Sequence, residues 1–130
     1  MDCIFCKIVA GQIPAAKVYE DDKCLAFLDI NPVTLGHVLL IPKEHYRFMT
    51  DVPDDLLAYL FIKSKELMPK IKKAMAADYV ALSVVGVDVP HFHIHLMPRG
   101  FDDGLAGFWP TMKYDEGDMA ETVAKIVKEM

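Results

Sequence analysis

The spacing of apolar positions changes period several times along the chain, and each change marks an element. Ile4–Ala10, closed by Gly11 and followed by Pro14, predicts a short helix with a glycine stop. Lys17–Glu20 and Lys23–Leu28, rich in Val, Tyr, Leu and Phe and separated by Asp21-Asp22, predict a hairpin that Asn31-Pro32 ends. His37–Ile41 is a continuous apolar run stopped by Pro42, the pattern of a strand buried on both faces. From Pro53 to about Ala77, Leu56, Leu57, Leu60, Phe61, Leu67, Met68, Ile71 and Met75 recur at three and four, the stripe of a long amphipathic helix. Asp51 serves as its cap, and Pro69 predicts a kink near Glu66–Pro69 or a second short helix. Tyr79–Val85 and His91–Met97 read as a final hairpin.

After Arg99, prolines and glycines mark a loop anchored by Phe108 and Trp109. A last helix, Asp118–Met130, then carries Met119, Val123, Ile126, Val127 and Met130 on one face. Hairpin, strand, helix and hairpin together imply a mainly antiparallel sheet with a helix packed on it, an α+β fold.

Composition narrows this picture. With 130 residues, 53% of them hydrophobic, the chain suits one domain spanning residues 1–130. A formal net charge of -5 opposes non-specific nucleic-acid binding but leaves room for a small anion held by local donors. No apolar run approaches the ~20 residues of a membrane span, and the first residues lack the order of a signal peptide, so the expected location is the cytoplasm. Cys3, Cys6 and Cys24 are an odd count with one Cys-x-x-Cys spacing, which favours a metal site or a reduced thiol pair over a disulfide framework.

The chemistry concentrates at His91-Phe92-His93-Ile94-His95, which holds three of the five histidines. In a strand these three share a face at about 6.8 Å per step, with Phe92, Ile94 and Leu96 turned into the core. A neutral imidazole is both a nucleophile and a proton carrier, as phosphoryl transfer near neutral pH requires. Three reaching one ion along such a strand would have to close a span of about 13.6 Å.

This run resembles the signature of the histidine-triad superfamily, in which histidines alternate with apolar residues. Cys3–Ile8, Ile13-Pro14, Val18–Asp21, Leu25–Pro32 and Gly36–His45 are similar to the family pattern in the family order, so the likeness covers roughly residues 2–99. It implies a five-stranded sheet with one long helix and short flanking helices, in a homodimer. It also implies that His93 attacks the α-phosphate of a purine nucleotide conjugate, such as a phosphoramidate or a dinucleoside polyphosphate, and forms a nucleotidyl-histidine. His91, His95 and His37 would orient His93 and bind phosphate oxygens. Asp29 would hold the ribose, and Ile4, Phe5, Ile8, Phe27, Leu28 and Ile30 would wrap the purine. Some members with this Cys-x-x-Cys and Pro-Lys-x-His pattern bind a structural zinc, and the resemblance implies the same for Cys3, Cys6, His45 and His91.

The chain departs from the family before the triad. A polar loop with a glutamine is replaced by Ser83-Val84-Val85-Gly86-Val87-Asp88, so phosphate contacts fall to backbone amides, the histidines or Ser83, and Asp88 stands where a Ser or Thr usually contacts phosphate. A carboxylate there opposes a dianionic phosphate. Beside a hydrolase or nucleotidyl transferase, two other readings stand: a purine-nucleotide-binding regulatory protein with residual activity, and a zinc-dependent hydrolase. Arg99, just after the triad, is a candidate to reach an anion, and Trp109 resembles a tryptophan that some members place near the leaving group.

Overall fold

The computed structural model describes residues 2–107 and 109–130. Phe108, paired above with Trp109 as a loop anchor, lies outside the described residues. The elements are α1 (Ile4–Val9), β1 (Lys17–Glu20), β2 (Cys24–Leu28), β3 (Val38–Pro42), a 3₁₀ turn (Met49–Asp51), α2 (Asp54–Ala74), β4 (Tyr79–Ser83), β5 (Ile94–Arg99) and α3 (Asp118–Lys128). The strands form one antiparallel sheet in the order β1-β2-β3-β5-β4, which is the expected α+β architecture.

The unbroken apolar run of β3 has a direct physical cause. Alternate side chains leave a strand on opposite faces, and both faces of β3 are covered. Val38 and Leu40 join Leu60, Leu67 and Ile71 of α2 with Ile94 and Leu96 of β5 in one core. Leu39 and Ile41 pack on the other side with Phe5 and Ile8 of α1 and Leu25 and Phe27 of β2. The long helix therefore buttresses one face of the sheet, and α1 closes the other.

Two expectations about α2 are narrowed: Asp51 is not its cap, and no second short helix follows Pro69. Pro53, not Asp51, occupies the N-cap position, while the Asp51 carboxylate accepts the Phe48 amide at 3.1 Å within the 3₁₀ turn. The helix also runs unbroken through Pro69. Proline removes one backbone hydrogen bond there, and Leu67 and Ile71 on either side are buried in the core, which holds both turns against the sheet. The apolar face foreseen for α3 does form, with Met119, Val123, Ile126 and Val127 all exposed to solvent.

Gly36 sets the entry to β3. It has φ +92°, a region that favours glycine, and a Cβ there would lie 2.6 Å from Cγ of Met75. The tight approach lets the turn bring His37 down against the end of β5.

Candidate active site and metal centre

The histidine run is not a straight strand. β5 begins at Ile94, so of the three only His95 sits in the ladder, while His91 and His93 lie in the bend before it. The cause is in the neighbouring strand. Register pairs Leu40 with Ile94, so the next two steps would set His93 against Ile41 and Phe92 against Pro42. Pro42 has no amide hydrogen to give, so the ladder stops. Instead its carbonyl meets Nε2 of His91 at 2.9 Å, and the Phe92 amide donates to the Tyr46 carbonyl. The bend draws the rings of His93 and His95 to 4.8 Å, closer than the step along an extended strand.

Fixed backbone partners assign the protons. Nδ1 of His93 is 2.7 Å from the His91 carbonyl, which only accepts, so Nδ1 carries a hydrogen and the tautomer that acts as a nucleophile has its lone pair on Nε2. That Nε2 is buried and has no hydrogen-bond partner among the described residues. An Asp88 oxygen stands 3.3 Å from it, outside hydrogen-bonding geometry. Nδ1 of His37 accepts the Val33 amide at 3.0 Å, which puts its hydrogen on Nε2, donated to Nδ1 of His95 at 2.9 Å. His95 is thereby left with an Nε2–H.

Burial, reinforced by His93 and His37 and opposed by Asp88 and Asp29, pushes His95 down to about 4, so it is neutral at pH 7. His37 is lowered too, by burial first, against the opposing charge of Asp29. Asp29, His37 and His95 lie close enough to hold an ion. For His37 Nε2 to serve as a ligand, however, its Nδ1–H would have to face the Val33 N–H. The backbone therefore favours a hydrogen-bonded relay at this place over a catalytic metal.

Ile4, Phe5, Ile8, Phe27, Leu28, Asp29, Ile30 and Asp88 line one groove between α1 and the end of β2. Ile30 is 90% exposed, an apolar side chain held out at the groove mouth. Phe5 links this groove to the histidines, edge-on to Phe27 at 5.4 Å and to His93 at 5.2 Å. Asp29 accepts the Asn31 amide through one oxygen and places the other 3.8 Å from Nε2 of His37.

Ser83 sits elsewhere. It pairs with His95 across β4 and β5 and lines a second pocket with His37, Arg99 and Trp109. Arg99 forks onto Asp103 and also reaches the Leu105 and Ala106 carbonyls, so its charge is already engaged. Trp109 is 67% exposed beside it, at a pocket wall. Sequence reading missed the Asp103 clamp, and also Arg47 and Phe48, which line a cavity on the other flank of His93. An arginine four residues before an aspartate was the available signal for the clamp.

On the far side of His91 four donors converge. His91 Nδ1 lies 3.4 Å from Cys3 Sγ, 3.5 Å from Cys6 Sγ and 3.2 Å from His45 Nδ1, and Cys6 Sγ is 3.2 Å from His45 Nδ1. Because Nε2 of His91 gives its hydrogen to Pro42, its Nδ1 lone pair faces this cluster. A tetrahedral zinc with two sulfur and two nitrogen ligands spaces its donors about 3.4–3.8 Å apart, so the set is compatible with zinc. Burial, then the Cys3 thiol beside it, raises Cys6 to about 11, which keeps it a thiol until a cation compensates the charge. No disulfide joins the three cysteines.

Known proteins share this fold and much of this sequence. The HIT domain family model matches residues 10–102. A crystal structure of a HIT family member from Bacillus subtilis superposes with a TM-score of 0.84 at 36% identity, covering 100% of this chain and 98% of that one. A zinc-bound histidine triad protein from Mycobacterium smegmatis matches at 30% identity and TM-score 0.78, over 100% and 99% of the two chains. The adenosine 5'-monophosphoramidase HNT1 of Saccharomyces cerevisiae is 36% identical over 98% of this chain and 80% of its own. Fold, histidine cluster and family match agree, and the chain belongs to the HIT family.

Proposed function

We propose that this protein is a purine nucleotide hydrolase or nucleotidyl transferase with His93 as the nucleophile. The observation that carries the reading is the buried Nε2 of His93, whose lone pair is set by the Nδ1–H bond to the His91 carbonyl. In the first step this pair forms a bond to the α-phosphorus, and the bond to the leaving group breaks with its electrons. The leaving group takes a proton from solvent water, and the water that attacks in the second step returns one to solvent. Water then breaks the nitrogen–phosphorus bond, giving the nucleoside monophosphate and the free imidazole. Neutral His95, held by His37, offers its Nε2–H to a phosphate oxygen, where charge grows in the transition state. The exposed apolar groove takes the purine, and Asp29 takes the ribose hydroxyls.

A yeast relative that is an adenosine 5'-monophosphoramidase makes nucleoside phosphoramidates the first substrates to test, ahead of dinucleoside polyphosphates. Mixing enzyme with each and quenching early should release nucleoside monophosphate and trap one nucleotidyl group on the peptide containing His93. No monophosphate from any of them overturns the reading. Measurable binding without turnover would favour the regulatory alternative, for which the Asp88 carboxylate at 3.3 Å from the nucleophile is the motivating feature.

The four-donor cluster belongs to the same proposal as a closed structural zinc site of Cys3, Cys6, His45 and His91. Protein made with zinc supplied should carry about one zinc per chain by elemental analysis, and Cys6→Ser should lose most of it. Zinc well below one per chain in the unsubstituted protein removes the site. Its tie to catalysis is direct, since the carbonyl of His91 sets the His93 tautomer.

Homodimerisation completes the reading. Ile62 and Met75 of the α2 region are exposed, and burying them against a second copy gives these apolar side chains a partner. Light scattering should return twice the 14.6 kDa chain mass, and a monomer at micromolar concentration would refute it. Among the described residues no helix is long and apolar enough to cross a membrane. Cysteines outside any disulfide suit the reducing cytoplasm.

A further inference from the structure

Asp88 takes no part in the chemistry proposed above, yet it stands on the reacting face. It lines the same groove as Phe27 and Asp29, with one oxygen 3.3 Å from the nucleophilic nitrogen of His93. It does not orient that ring, because the His91 carbonyl does so and Nε2 has no hydrogen-bond partner. Its side chain is 63% exposed. Burial works to raise its pKa, but the amides of Asp88 and Val89 and the His93 and His95 rings outweigh it, so the group is held below the usual carboxylate range and is ionised. No lysine or arginine lines the groove among the described residues. Arg47, on the other flank of His93, lies over the ring of Phe48.

A phosphorus within reach of Nε2 places its oxygens beside this carboxylate. The charge on those oxygens changes during the reaction. In a phosphoramidate or a phosphoanhydride the α-phosphoryl group has one ionisable oxygen and one negative charge. The product monophosphate has a second ionisation near pH 6, and above that pH it carries about two. We infer that Asp88 is a specificity-determining residue that acts as a charge filter, tolerating the singly charged α-phosphate of a substrate and expelling the dianionic nucleoside monophosphate product. The inference rests on the proposed function, because it takes nucleoside monophosphates as the product class. Each phosphate charge a few ångströms from a partly solvated carboxylate corresponds to about threefold in affinity, so a dianion loses about tenfold where a monoanion loses about threefold.

The test is calorimetric titration at pH 8 with three ligands: a purine nucleoside, its 5'-monophosphate, and the methyl ester of that monophosphate, which keeps a single charge. Each is measured on the unsubstituted protein, on Asp88→Asn and on Asp88→Ser, so that one variant suffices if the other folds poorly. Removing the carboxylate should tighten the monophosphate about tenfold and the ester by no more than about threefold, and leave the nucleoside unchanged. Equal tightening of monophosphate and ester, or no tightening of either, overturns the filter while leaving the hydrolase reading intact. If the unsubstituted protein binds none of the three ligands, both the nucleotide reading and the filter fall.

Discussion

Replacing His93 by alanine is expected to lower turnover of a nucleoside phosphoramidate by roughly 10⁴-fold or more, with purine nucleoside affinity kept within a few fold. The size follows from the role. Without the imidazole no covalent intermediate forms, and the remaining groups can only polarise phosphate oxygens toward a water. The groove is built from α1 and β2 side chains that do not depend on the ring, apart from the edge contact with Phe5. Losing that contact and opening a small cavity should cost about 1–2 kcal/mol of stability, so a thermal melt accompanies the assay. His95→Asn, which keeps an acceptor for His37, should cost only about 10²–10³-fold, because it removes one donor to growing charge and not the nucleophile. A His93→Ala protein that folds, binds nucleoside and retains more than about 1% of turnover would end the nucleophile assignment.

How much of this was legible in the sequence depended on where each cause lay. β3 was readable because its whole cause is local: both faces are buried, so every residue is apolar. The α2 stripe was readable for the same reason, yet its continuity through Pro69 was not, since that depends on what Leu67 and Ile71 pack against. The histidine run announced chemistry, but its shape is decided about fifty residues earlier in sequence, at Pro42, where the ladder loses its donor. The groups that set the tautomers are the His91 and Pro42 carbonyls and the Val33 amide. Backbone atoms leave no residue signature. Ser83, read as a phosphate contact where the chain departs from the family, lies apart from the groove residues, because Ser83 pairs on the edge strand while the groove opens at α1 and β2. The four metal-type donors had been brought together by the same resemblance, and the fold places them within 4.8 Å of one another.

The buried histidines should also make the fold acid-sensitive in a window of its own. His95 is ordinarily near 6.5 and falls to about 4 in the folded protein, and His37 shifts in the same direction. The folded state therefore favours the neutral rings. Their contribution is complete above pH 6.5. As pH falls below that value the unfolded chain takes up protons that the folded chain refuses, and stability drains away until His95 itself titrates near 4. A shift of this size corresponds to roughly 3 kcal/mol for His95, with His37 adding to it. Carboxylates held low in the fold, such as Asp21 among its tyrosine hydroxyls and backbone amides, add their own loss only from about pH 4 downward, so the two causes separate on the pH axis. Urea unfolding at pH 7.5, 5.5 and 4.5, at constant free zinc, should show most of the fall between the first and last points. His95→Asn has no ring to protonate and keeps an acceptor for the His37 N–H, so it should make that fall shallower. If the variant loses stability as steeply as the unsubstituted protein over the same range, the acid sensitivity has another origin and the neutral His37–His95 pair is not its source.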